Sequence, residues 1–139
     1  MGDLIIPDYH PSKTQRKERL WEHTCFEIFF AQKGMPNYWE FNLSPSGDWN
    51  TYSFSSYRQG MKQETYFDAL PFKVEIRSDQ KLKLDTVIDL KFVQDLSSID
   101  IGLSAVLEHN NGTKSFWAVN HPGKVPDFHD REGWNHFDT

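Results

Sequence analysis

The chain has 139 residues, of which 37% are hydrophobic, 15% aromatic and 25% charged, with a formal net charge of −5 at pH 7. That length suits one domain with a real core, and 21 aromatic rings against one Cys and three Met make that core ring-rich. Basic residues cluster only at Arg16, Lys17 and Arg19, too few for the positive face that phosphate backbones require. No apolar run approaches the ~18 residues of a membrane span. Cys25, alone, excludes an internal disulfide and fits a reducing compartment. The opening MGDLIIPDYHP lacks a basic region followed by an apolar core, so a cytoplasmic location is expected.

Residues 1–19 are polar, carry Pro7 and Pro11, and read as an extended lead-in. From residue 20 to 139 the texture is that of a single β domain. CFEIFF (25–30), YWEFNL (38–43) and WNTYSF (49–54) read as strands, separated by the turns KGMPN and SPSGD. YRQGM (57–61) breaks the pattern at Gly60. FKVEIR (72–77) and KLKLDTVIDL (81–90) alternate apolar and polar around the hairpin-sized turn SDQ. VIDLKFVQDL (87–96) has room for one helical turn. IGLSAVLEH (101–109) and SFWAVNH (115–121) flank an Asn-Gly pair, a strong hairpin signal. The tail is loop-like with a short strand or two. Many short strands and no sustained helical period predict an all-β fold, an antiparallel β-sandwich or jelly roll.

Alternation with period two places Trp39, Phe41 and Leu43 on one face of the second strand, and Tyr38, Glu40 and Asn42 on the other. Cys25, Glu27 and Phe29 share a face of the first strand. If the two strands pair antiparallel, Glu27 and Glu40 lie on the same face, with Arg58 just beyond the third strand. That face is either a solvated surface or the floor of a cleft. Trp21, Tyr38, Trp49, Tyr52, Tyr57 and Trp117 border the set, and flat sugar faces stack on such rings while acids, amides and guanidinium groups fix hydroxyls. Glu27 and Glu40 also have the residue types of a retaining glycosidase pair, whose carboxyls stand ~5 Å apart.

The tail HPGKVPDFHD gathers His121, Asp127, His129 and Asp130 at a spacing that matches no zinc or calcium pattern. It reads as a loop packed by Pro122, Pro126 and Phe128, or as the rim of a ligand site. Cys25, inside an apolar strand, reads as a small buried residue rather than a nucleophile.

The pieces LWEHTCFEIFF, YWEFNLSPSGDWNTYSFSSYRQGM, IGLSAVLEHNNGTKSFWAVNHP and PDFHD run in order from about Leu20 to Asp130. Together they resemble the bacterial DOMON-like proteins related to carbohydrate-binding module family 9. The resemblance implies a jelly-roll β-sandwich with a ligand site on one concave sheet face, taking a sugar or, in some branches, haem. In the family 9 modules two tryptophans clamp the sugar; the candidates here are Trp21, Trp117 and Trp49. Such proteins carry further strands before the segment reading DLIIP, so an open sheet edge and a homodimer paired along it are expected.

The resulting expectation is a non-catalytic domain that binds a small carbohydrate without a cofactor or metal. Its candidate ligand-binding residues are Trp21, Glu27, Glu40, Asn42, Trp49, Arg58, Trp117, His121, Asp127 and His129. Two alternatives stand beside it. A haem-binding domain would need axial ligands such as Met35 or Met61 with a His. A structural or protein-interaction domain would use no small ligand.

Overall fold

The computed structural model describes residues 3–76 and 81–138 and is built almost entirely from antiparallel strands. Strands β1 (Cys25–Gln32), β2 (Tyr38–Leu43), β3 (Trp49–Phe54) and β4 (Lys62–Gln63) form a meander of adjacent antiparallel pairs. Strands β5 (Phe72–Ile76) and β6 (Leu82–Thr86) leave it as a separate two-stranded sheet. The chain then returns as β7 (Ser98–Glu108), which pairs along the whole of β1. The outer edge of β7 is shared by β8 (Lys114–Ala118) and β9 (Asn135–Asp138). Two packed antiparallel sheets make this a β-sandwich.

The expected alternation sets the two faces. Phe30, Phe41, Leu43 and Trp49 point from the large sheet into a core closed by Phe72 and Val74 of β5. Loop residues Phe67, Leu70 and Val93 fill the same core, and Leu82 and Leu84 pack against it from β6. Ile76, expected inward with Phe72 and Val74, is exposed at the end of its strand. The SDQ turn between β5 and β6, residues 78–80, lies outside the described residues. Residues 87–96 form turns rather than a helix; Ile88, Leu90 and Phe92 pack on the core without helical spacing. The sequence reading missed β4, two residues long, and the first three residues of β7.

The described part of the lead-in is tied to the sheet at both ends. Ile5 N–H donates to the Glu108 carbonyl at 2.8 Å, and its carbonyl accepts from Thr24 Oγ1. Further along, Arg16 donates to Asn50 Oδ1 at 2.7 Å and to the Phe67 carbonyl, and lies over the Trp49 ring at 4.3 Å. The SPSGD turn is the clasp for this segment. Asp48 accepts from Gln15 N–H at 3.1 Å and pairs with Lys17 at 3.2 Å. Gly47 has φ +101°, and an added Cβ would stand 2.6 Å from Thr14 Cγ2. Gly47→Ala is therefore expected to cost about 1–2 kcal/mol, from strain and from displacing the lead-in. Urea denaturation checks it; an unchanged midpoint would mean the turn relaxes freely.

Candidate functional site

The second face of the large sheet is arranged in rungs. Antiparallel register puts directly opposed residues on one face. One rung runs Asn50, Asn42, Glu27, Ser104 across β3, β2, β1 and β7. The next runs Tyr52, Glu40, Phe29, Gly102. A third carries Phe54, Tyr38, Ala31 and Asp100. Glu27 and Glu40 share the face, as expected, but they are diagonal neighbours: Glu27 opposes Asn42, and Glu40 opposes Phe29.

This face is not a solvated surface. Glu27 is 5% exposed, Glu40 4% and Asn42 0%. The tail folds across it. His129 stacks edge-on against Phe29, Tyr38 and Phe54 with ring centroids 4.9–5.8 Å away. Trp134 stacks on Phe29 at 5.5 Å and donates from Nε1 to the Phe128 carbonyl at 2.9 Å. Between tail and sheet lies a cavity of about 430 Å³. Glu27 and Glu40 are at its floor, with Trp21, Phe54, Phe116 and Phe128 as aromatic walls. Arg58, Met61, Val106, Pro126 and His129 complete the lining.

A hydrogen-bonded chain fixes the polar side. Arg58 N–H donates to the Tyr38 hydroxyl at 3.1 Å, and that hydroxyl meets His129 Nδ1 at 2.7 Å. His129 Nε2 faces Glu40 Oε1 at 3.5 Å. Because the Tyr38 oxygen already accepts from Arg58, its proton is free for Nδ1, and Nε2–H is left to point at Glu40. Asp127 anchors the rim. It accepts from Arg58 Nη2 at 2.7 Å, from the Tyr57 hydroxyl and from His129 N–H.

Burial dominates the charge states. Desolvation lowers the His129 imidazole to about 4, assisted by the nearby Arg58. It raises the Glu40 carboxyl to about 7, against the favourable influence of Asn42 and Arg58. Asn42 lies close enough to favour the Glu40 carboxylate, without the geometry of a full hydrogen bond. Glu27 is pushed well above the usual carboxylate range by desolvation and then by Glu40. Cys25 is likewise raised, by burial first, as befits a packed thiol rather than a nucleophile.

Of the expected residues, Trp21, Glu27, Glu40, Arg58 and His129 come together around the cavity. Asn42 lies in the floor beside Glu27, and Asp127 holds Arg58. His121 is one layer out, stacked on Phe128 at 6.0 Å. The other two tryptophans lie elsewhere. Trp49 opposes Leu43 and is buried in the core on the far face. Trp117 opposes Ala105, which opposes Phe26, so it too is on the far face, 57% exposed. Phe54, Met61, Val106, Phe116, Pro126 and Phe128 were not among the expected site residues. Phe116 alternates with Trp117, and knowing the β7–β8 register would have chosen it.

The described residues thus define an antiparallel β-sandwich with an aromatic cavity over a buried acidic floor. They contain no helix long and apolar enough to cross a membrane. No family model matches the chain, and no curated protein matches it in sequence. Among solved structures it is similar to a protein of Bacteroides uniformis ATCC 8492 provisionally described as carbohydrate-binding. The TM-score is 0.59 at 13% identity, over 99% of this chain and 66% of that one. At that identity the likeness concerns the fold.

Proposed function

We propose that the chain is a non-catalytic binding domain for a small carbohydrate, seated in the cavity over Glu27 and Glu40. The observation that carries this is the composition of the cavity: four aromatic walls around two buried carboxyls, a guanidinium and an imidazole. Rings offer stacking faces to a sugar, and the polar groups meet its hydroxyls. The fold of the Bacteroides uniformis protein and the DOMON-like sequence pieces support the same reading.

Two observations weigh against the alternatives. A retaining glycosidase sets its two carboxyls about 5 Å apart; Glu27 and Glu40 are diagonal rather than directly opposed neighbours, with backbones about 7–8 Å apart. A haem needs an imidazole nitrogen aimed at the iron. Met61 and His129 share the cavity, but the two His129 nitrogens face Tyr38 and Glu40. The interaction-domain alternative has its own place, since Leu103, Trp117 and Val119 are exposed away from the cavity.

Saturation-transfer NMR against a pool of soluble mono- and oligosaccharides tests the reading. Transfer to at least one sugar is expected. Trp21→Ala should weaken that sugar about tenfold or more by removing a stacking wall, whereas Trp117→Ala should leave it unchanged. Absence of transfer from every sugar, or equal losses in the two variants, would overturn the assignment.

A further inference from the structure

The floor of the cavity carries two carboxyls that no described Lys or Arg contacts, Arg58 acting on both only at a distance. Among the described residues, no hydrogen bond or ion pair reaches the Glu27 carboxyl, although it is nine-tenths buried and lines the cavity. Glu40 meets only His129, at 3.5 Å, apart from the near approach of Asn42. The guanidinium at the site, Arg58, is engaged by Asp127 at 2.7 Å and stands over Tyr57, toward solvent. On either side of Glu27 in its rung, Asn42 and Ser104 carry buried polar atoms without hydrogen-bond partners. A buried carboxyl with unpaired polar neighbours is costly, and a cationic ligand group would relieve that cost.

From this arrangement we infer that Glu27 and Glu40 form an ammonium site, and that the sugar selected is an amino sugar with a free, protonated amine. The inference rests on the carbohydrate reading above and narrows it. Diagonal strand neighbours stand about 7–8 Å apart, a span that two glutamate side chains and one ammonium can bridge. Asn42 and Ser104, which flank Glu27 in its rung, lie behind the cavity surface and would polarise the carboxyl rather than touch the amine. The walls Trp21, Phe54, Phe116 and Phe128 suit an organic cation, because ring faces attract positive charge. They do not suit a bare metal ion, and no three ligating side chains converge among the described residues.

Burial favours the protonated carboxyls, so seating R–NH₃⁺ against one that holds its proton releases that proton to solvent and leaves a carboxylate–ammonium pair. Affinity therefore rises with pH until the amine itself loses its proton. An N-acetylated sugar has no charge to offer and gains nothing from this floor.

Isothermal titration with three matched series is the test: each of glucosamine, galactosamine and mannosamine beside its parent hexose and its N-acetyl form. At least one hexosamine should bind about tenfold more tightly than both counterparts near pH 7. The gap should narrow near pH 5.5, and buffers of different ionisation enthalpy should report a released proton. Glu27→Gln should collapse the gap; if that variant misfolds, Glu40→Gln takes its place. Equal binding of hexose and hexosamine would overturn this inference and leave the carbohydrate reading standing. Failure of every sugar to bind would overturn both.

Discussion

Replacing Glu40 with glutamine is expected to stabilise the protein progressively, relative to the native chain, as the pH rises. The Glu40 carboxyl titrates at about 7 in the folded protein, against an ordinary value of 4.5. The folded state therefore holds this proton more firmly than the unfolded state does. Its contribution is complete below pH 4.5 and is lost as the pH climbs through about 7. The shift corresponds to a loss on the order of 3 kcal/mol. His129 acts with the opposite sign: its imidazole falls to about 4 from 6.5, so its contribution is present above 6.5 and lost as the pH drops through 4. In the native chain these two slopes oppose each other, and Glu27, also raised, adds to the decline. Glutamine cannot ionise, so the variant keeps the His129 slope and loses that of Glu40. Urea titrations of both chains from about pH 4.5 to 8 should give stability curves that diverge by roughly 3 kcal/mol. Parallel curves would mean that Glu40 is ionised or solvated at the bottom of the cavity.

Trp134→Ala should lower stability by about 2–3 kcal/mol and weaken ligand binding at the same time. The indole fills the space that a side chain at position 102 would occupy: Cδ1 lies 2.5 Å from where a Cβ on Gly102 would be. It stacks on Phe29, meets the Tyr38 ring edge-on at 5.5 Å, takes the Arg131 guanidinium over its face and bonds the Phe128 carbonyl. Removing it strips the Phe128 carbonyl of its donor and leaves the segment from Asp127 to His129 held by its polar contacts and by the ring contacts of Phe128 and His129. That segment is one wall of the cavity, so a binding loss of about tenfold should accompany the stability loss. Limited proteolysis of the tail would show the detached wall as new cleavage between Asn120 and Trp134. Unaltered binding in this variant would show that the Arg58–Asp127 and Tyr38–His129 contacts suffice to hold the wall.

Most strands and both sheet faces were legible in the sequence because alternation and turn chemistry are local. YWEFNL announces its two faces without reference to anything else, and Glu27, Glu40 and Asn42 were grouped correctly on that basis. What failed needed register between strands. Trp49 belongs with Leu43 because the SPSGD turn makes those two residues directly opposed; a turn one residue longer would have sent the indole to the cavity face. Trp117 was assigned to the wrong face for the same reason, and Phe116 was overlooked with it. The burial of the acidic face was not readable either. It depends on His129 and Trp134, about a hundred residues along the chain, landing on Phe29, and no local pattern in PDFHD or REGWNH encodes that landing.

The floor and the walls of the cavity belong to parts of the fold with different resistance to opening. Glu27 is on β1, which is paired on both sides, by β2 and by β7. Arg58, Pro126, Phe128 and His129 stand on turns and on the tail outside any strand. Amide hydrogens in β1 should therefore exchange only through global unfolding, while those of residues 55–61 and 121–134 should exchange through smaller local openings. Ligand capture would then register as slower exchange in the wall segments, with the floor already at the limit set by global stability.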